Sequence, residues 1–273
     1  MSLSRIAISG AAGRMGRALL REVLSTPETT VAGGLEAPGS SNLGKDLGVL
    51  AGLDGIGLQV SDTPATVLTG SDVLIDFTVP AATVSVAAAA KGHNVPLVIG
   101  TTGFSDEQQA ELEALARTIP IVQSGNMSLG VNFLLSLVHQ AAKNLGADFD
   151  IEVIEAHHRR KIDAPSGTAL MLGEAAAEGR GLDLSAAQVT DRSTIRQARR
   201  SDEIGMSVVR GGGIIGRHEV MFASDSEVIT LSHEALDRSL FAKGAVRAAR
   251  WAIGKDPGLY SMGDVLGLKE SQK

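Results

Sequence analysis

The sequence predicts an α/β protein, in which a doubly wound parallel sheet is joined to a second α+β domain with a mixed, mostly open sheet. Two observations carry this. Through the first half, short β-branched runs alternate with longer segments rich in Ala, Leu and Glu, the pattern of buried parallel strands covered by helices. After about Gly125, hairpin-like apolar runs separated by Gly-rich or polar turns take over, until a last helical stretch at 236–253 returns to the first pattern. The expected division is residues 1–126 with 238–273 as one domain and 127–237 as the other.

The elements follow in order. Ile6-Ala7-Ile8 is a short strand ending at Ser9-Gly10, and 14–24 has helical periodicity. Strands are expected at 30–35, 73–77, 97–99 and 119–122. Helices at 81–91 and 106–117 lie between them, the first opened by Pro80 and the second by Ser105-Asp106-Glu107. A long helix is expected at 128–145, then a strand at 149–156, a charged block at 157–161 and a helix at 164–179 introduced by Pro165. Strands at 206–210, 218–222 and 227–231 form the second sheet. Residues 182–203 are polar, rich in Arg, Ser and Asp, without periodicity, and are expected to be a loop.

The chain has 273 residues, room for two modest domains. Only 3% of them are aromatic, so Ala, Val, Leu and Ile must build the cores. A formal charge of −6 argues against general nucleic-acid binding, which needs clustered cations. Cysteine is absent, excluding disulfides, thiolate metal sites and a cysteine nucleophile. No run approaches the roughly 18 apolar residues of a membrane helix, and the first residues enter a strand without a signal-peptide pattern. A cytoplasmic protein with no membrane partner is expected.

The strongest local signal is Gly10-Ala11-Ala12-Gly13-Arg14-Met15-Gly16 at a strand-to-helix turn, a G-x-x-G-x-x-G variant of the dinucleotide fingerprint. Glycines there permit the tight turn and bring backbone N–H groups near a pyrophosphate, and the helix N-terminus favours the anion. Glu36 ends the next strand, where an acid can accept a hydrogen bond from a ribose hydroxyl. These features make the sheet Rossmann-type and NADH or NADPH the expected cofactor. A Gly-rich turn with a solvated Glu in a nucleotide-free fold is the plainer alternative. Gly100-Thr101-Thr102-Gly103 and Ser124-Gly125-Asn126-Met127 each follow a strand at the carboxyl edge of the sheet. Together they could serve a nicotinamide carboxamide.

The block from Glu155 to Thr168 is the most unusual. His157-His158-Arg159-Arg160-Lys161 places five potentially cationic side chains in succession, which a core cannot hold without great desolvation cost. A solvated basic loop is the bland reading. Zinc is a poor one, because adjacent His residues lack the spaced further ligands of a tetrahedral site. Ser166-Gly167-Thr168 after Pro165 tips the balance, since a helix opening there offers N–H groups and hydroxyls to a carboxylate. A Lys adds charge and a His adds a proton donor that titrates near neutral pH. The set suits an anionic substrate that takes a proton while accepting a hydride.

At this point the chain resembles the dihydrodipicolinate reductase family over nearly its whole length. The matching motifs are Gly-Ala-Ala-Gly-Arg-Met-Gly-Arg at 10–17, Ile-Asp-Phe-Thr at 75–78, Val-Ile-Gly-Thr-Thr-Gly-Phe at 98–104 and the highly specific block at 155–169. Arg210-Gly211-Gly212, Gly216-Arg217-His218 and Phe241-Ala242 also look like this family. The resemblance implies NAD(P)H-dependent reduction of 4-hydroxy-tetrahydrodipicolinate, a cyclic dicarboxylate, to tetrahydrodipicolinate in the diaminopimelate route to lysine. It implies His157 as acid/base residue and Lys161 as proton donor. His158, Lys161, Ser166, Gly167 and Thr168 would hold the two carboxylates. Gly10 to Met15, Glu36, Gly100 to Thr102 and Ser124 to Met127 would bind cofactor, and the assembly would be a homotetramer formed through the second domain's sheet.

Two departures bear on the cofactor. Where many family members have Arg after the ribose-binding acid, this chain has Ala37. Where a basic residue often stands between Thr and Pro of the Asp-Phe-Thr-x-Pro turn, it has Val79. Glu36 would repel a 2′-phosphate, so NADH is expected to serve at least as well as NADPH, with Arg14 and Lys45 the residues that could rescue NADP binding. Met127 stands where some relatives carry an aromatic residue. Arg238 is a further candidate carboxylate partner. A different two-domain reductase and a non-catalytic NAD-sensing protein are the competing readings.

Overall fold

The computed structural model describes residues 3–268; the first two residues and 269–273, assigned above to the first domain, lie outside the described residues. By contacts the chain separates into two compact units, Met1–Leu129 with Ser239–Lys273, and Gly130–Arg238.

The first unit contains β1 (Ser4–Ser9), α1 (Arg14–Ser25), β2 (Thr29–Leu35), α2 (Leu47–Leu50), β3 (Val60–Ser61), α3 (Pro64–Leu68), β4 (Val73–Asp76), α4 (Pro80–Gly92), β5 (Leu97–Ile99), α5 (Asp106–Ala116) and β6 (Pro120–Gln123). In the second unit lie most of α6 (Leu129–Leu145), then β7 (Asp150–His157), α7 (Gly167–Arg180), α8 (Leu184–Ala187), β8 (Gln188–Val189), β9 (Ile204–Arg210), β10 (Arg217–Ala223) and β11 (Val228–Glu234). The chain then returns to the first unit with α9 (Ser239–Ala252), β12 (Gly258–Tyr260) and α10 (Met262–Leu266).

Seven parallel strands form the first sheet in the order β12-β6-β5-β4-β1-β2-β3. Alternation along each strand feeds two cores. Ile6, Ile8, Val73, Ile75, Val98 and Val122 pack with Leu19, Leu20 and Val23 of α1 and the alanines of α9. Ala7, Leu74, Leu97, Ile99 and Ile121 pack with α3, α4 and α5 on the other face. With so few aromatics the helices approach closely: a Cβ at Gly244 of α9 would lie 1.7 Å from the Met127 carbonyl oxygen. Strand order reverses between β1 and β4, so their carboxyl ends mark the switch point at which such sheets take ligands.

The second sheet is mixed, in the order β11-β10-β7-β9-β8, with β7 antiparallel to β10 and parallel to β9. Its β7 residues are buried in strict alternation, Ile151 and Val153 facing a core shared with Leu134, Val138, Leu172 and Ala176 of α6 and α7. The opposite face carries Ile154, Ala156, Val209 and Ile214 around a groove of about 410 Å³.

Two expectations need correction. Residues 182–203 are not all loop: α8 and β8 lie there, with β8 pairing parallel to β9. Their organisation is tertiary, because Arg199 reaches the carboxylates of Asp150 and Glu152 and the Glu203 carbonyl, and Arg192 pairs with Glu203. Periodicity cannot register such ties. The helix expected from 164 begins instead at Gly167, because Ser166 takes the cap position and accepts a hydrogen bond from the Ala169 amide at 3.1 Å.

Candidate active site

In the first unit the glycine turn is built by close approach. Gly10 has φ +72°, and its N–H and that of Ala11 both donate to the Leu35 carbonyl. A Cβ at Gly16 would lie 2.1 Å from the Gly10 oxygen, and one at Gly10 would lie 2.9 Å from Thr78 Cγ2. Gly13 caps α1 without any side-chain hydrogen bond. The first-turn amides, which have no intrahelical acceptor, therefore remain free of a side-chain cap beside a Gly-lined turn, and this fits a pyrophosphate. Glu36 is half-buried and accepts from the Ala12 N–H at 2.7 Å, so the acid at the end of β2 is tied to the glycine turn. Arg14 and Ala37 are exposed and Met15 half-buried.

The two flanking turns meet through a residue the sequence reading did not single out. Asp76, fully buried at the end of β4, accepts from the hydroxyls of Thr78, Thr83 and Thr101 at 2.9, 2.5 and 2.8 Å. The Thr78 N–H donates to Thr101 Oγ1 at 3.0 Å, so one carboxylate ties the β4 and β5 ends together. The motif at 75–78 held the signal, but only as a word. At Gly100 an added Cβ would meet the Phe77 ring at 2.2 Å. Thr102 is exposed, and so is Gly125. Ser124 closes its turn onto the Asn126 carbonyl, and Asn126 Oδ1 accepts from the Ser128 N–H. Met127 is 1% exposed and packs in the core, with its thioether inside the unit.

In the second unit, β7 delivers Glu155 and His157 to the same buried side, two residues apart along the strand. His157 Nδ1 lies 2.6 Å from Glu155 Oε2. Arg210, at the end of β9, grips both Glu155 oxygens at 2.7 Å each, and the Ser166 N–H donates to Oε1 at 3.0 Å. Burial pushes the Glu155 carboxyl up, but the hydrogen bonds from Arg210 and His157 outweigh it and hold it below the usual range. His218 of β10 meets Ser166 Oγ at 3.0 Å and stands edge-on to the His157 ring at 5.1 Å. Desolvation, aided by the neighbouring His157, lowers its pKa to about 4, so the ring is neutral at pH 7.

The rest of the cationic block follows this cluster on the loop after β7. Lys161 pairs with the exposed Asp163 at 2.8 Å, and Arg210 also donates to the Asp163 carbonyl. His158 approaches Arg238 at 3.5 Å; desolvation and then the nearby Arg160 and Arg238 charges lower its pKa. Arg159 and Arg160 face solvent. At the head of α7, Gly167 is exposed with open space where a Cβ would be, and Thr168 is half-buried. His157, Lys161, Ser166, Gly167 and Thr168 thus lie on β7, the loop after it and the start of α7. Glu155, Arg210 and His218 complete the group and were missed as participants. No cluster of three or more metal-ligating side chains occurs among the described residues, and no described helix is long and apolar enough to cross a membrane.

A parallel sheet with a dinucleotide-type turn, linked to a mixed-sheet unit bearing a His–carboxylate pair beside a Lys and an open helix N-terminus, defines a pyridine-nucleotide-dependent reductase. The family model described as dihydrodipicolinate reductase, N-terminus, matches residues 4–127, and that described as dihydrodipicolinate reductase, C-terminus, matches 130–266. The chain belongs to the dihydrodipicolinate reductase family. It is 53% identical to the 4-hydroxy-tetrahydrodipicolinate reductase of Parvibaculum lavamentivorans, over 97% of this chain and 98% of that protein. The protein of the same description from Rhodopseudomonas palustris is 51% identical, over 99% of this chain and 100% of its own length. Among solved structures, a dipicolinate-bound dihydrodipicolinate reductase from Paenisporosarcina sp. TG-14 is similar, with TM-score 0.77 and 26% identity over 96% of this chain and 99% of that one.

Proposed function

We propose that this chain reduces 4-hydroxy-tetrahydrodipicolinate to tetrahydrodipicolinate, with loss of water, in the diaminopimelate route to lysine. The observation that carries the reading is the His157–Glu155 pair at the end of β7, joined through Glu155 to the Ser166 N–H at the head of α7, with Lys161 on the loop between them. A reduced nicotinamide dinucleotide, held by Gly10 to Met15, Glu36, Gly100 to Thr102 and Ser124 to Met127, would supply the hydride. His157 acts as acid/base residue and Lys161 gives the proton to the reduced carbon–nitrogen system. The two carboxylates of the cyclic substrate are held by the Lys161 cation, by His158, whose ring desolvation and the neighbouring charges keep toward its neutral form, and by the helix start at Ser166, Gly167 and Thr168. The Ser166 hydroxyl is engaged with the Ala169 amide and His218, so backbone N–H groups at the head of α7 do most of that work.

NADH serves at least as well as NADPH on this reading. Ala37 is exposed and uncharged, Val79 is 60% exposed, and Lys45 is engaged with Asn42. Glu36 brings a negative charge to the place a 2′-phosphate would occupy. The open face of the second sheet, where Ile154, Ala156, Ile214 and the 49% exposed Val209 line a groove rimmed by Arg217, Glu219 and Glu234, supports a homotetramer assembled through it. One experiment tests the core of the proposal: oxidation of NADH and of NADPH is followed while dihydrodipicolinate synthase generates substrate in the same cuvette. No oxidation with either cofactor, by folded protein, rejects it and favours a non-catalytic nucleotide-binding role.

A further inference from the structure

We propose that Glu155 is a positioning residue, clamped by Arg210, that fixes the His157 ring with the hydrogen on Nδ1 and leaves Nε2 as the nitrogen that takes and gives the proton. This rests on the acid/base assignment of His157 above. The geometry is specific about direction. An ionised carboxylate only accepts hydrogen bonds. Glu155 Oε1 receives Arg210 Nη2 and the Ser166 N–H, and Oε2 receives Arg210 Nη1 and His157 Nδ1, at 2.6 to 3.0 Å. The Nδ1 atom must therefore be the donor, which sets the tautomer. His157 Nε2 makes no hydrogen bond among the described residues, and Gly216 lies close to it, a Cβ there lying 3.1 Å away.

Sheet register explains why these groups meet. His157 of β7 stands opposite Arg210 of parallel β9, and Glu155 opposite His218 of antiparallel β10. Glu155 is 1% exposed, where an unpaired carboxylate would be strongly disfavoured. The Arg210 clamp keeps it charged, and with it the orientation of His157. Because the same carboxylate accepts from the Ser166 N–H, it also sets the head of α7 relative to the ring. Charged and titratable groups around His157 include Glu155 on β7, Arg210 on β9, His218 on β10 and the adjacent His158.

The test uses the full chain, with histidine labelled in its ring nitrogens. In the native protein His157 should show a single tautomer with Nδ1 protonated. Glu155→Gln should mix the tautomers and lower kcat about 100-fold or more, while NADH affinity changes less than about twofold. Because this variant leaves Arg210 without its partner, the double variant Glu155→Gln/Arg210→Met removes both charges and should show the same mixing. Unchanged ring signals in both variants overturn the proposal, whether or not kcat falls, since any loss would then arise elsewhere. His157→Gln, assayed in parallel, separates the two readings. Native kcat in that variant rejects the acid/base assignment, while the tautomer spectrum still decides the positioning role of Glu155.

Discussion

Ser166 Oγ and His218 Nε2 lie 3.0 Å apart in a buried contact that joins the cap of α7 to β10 of the second sheet. The ring at 218 is 4% exposed, and its pKa is lowered to about 4 by desolvation and then by the neighbouring His157. In the unfolded chain the same ring has an ordinary pKa of about 6.5. As pH falls through 6.5 the unfolded chain takes up a proton that the native state refuses, so stability declines from about pH 6.5 down to about pH 4 and this contribution then levels off. The loss amounts to roughly 3 kcal/mol. Urea unfolding at pH 7.0 and pH 5.0 checks it: His218→Gln should flatten the difference between the two conditions. An equally steep decline in the variant would contradict the assignment.

Gly16→Ala should be felt at the glycine turn. Its Cβ would lie 2.1 Å from a backbone oxygen, which cannot swing away as a side chain can. Overpacking of this kind costs on the order of 1–3 kcal/mol, and α1 must move from the turn. A lower Tm together with at least tenfold weaker NADH binding, read by quenching of nucleotide fluorescence, is the expected result. Native binding would detach the turn from the cofactor.

Cofactor preference should respond to charge at the end of β2. In the native chain kcat/KM for NADH is expected to equal or exceed that for NADPH. Ala37→Arg supplies a guanidinium where a 2′-phosphate would need one, and should raise kcat/KM for NADPH roughly tenfold relative to NADH. A native preference for NADPH would show that Arg14 or Lys45 already meets the phosphate.

His157→Gln and Lys161→Ala should each reduce kcat by about 100- to 10,000-fold, with NADH affinity close to native, because both residues belong to the second unit. Calorimetric titration of NADH into each variant measures the second half of this statement. A large loss of binding would mean these residues serve the nucleotide.

What could be read from the residues alone was local. The Gly10 turn is set within seven residues, so its role in a strand-to-helix connection is visible as a word. The alternation of strands and helices is likewise periodic and short-range, and it led to the parallel sheet. The block from His157 to Thr168 is a single stretch whose types and order suit an anionic, proton-accepting substrate, and it therefore stood out before any fold was known. The elements that were passed over are the short ones, such as β3, β8 and β12, two or three residues long and held by pairing with neighbours.

Only the tertiary structure decided which polar groups complete the site. Arg210 and His218 stand far along the chain from Glu155, and strand register brings them to it. Asp76 becomes the hub of three hydroxyls because parallel pairing sets the ends of β4 and β5 side by side. The fate of Met127 was decided in the same way, by the close approach that Gly244 allows. Sequence carries period and local chemistry directly. Partners at long separation are specified only through the packing that all the elements reach together, and that is why the His157–Lys161 block was legible while the carboxylate and guanidinium that orient it were not.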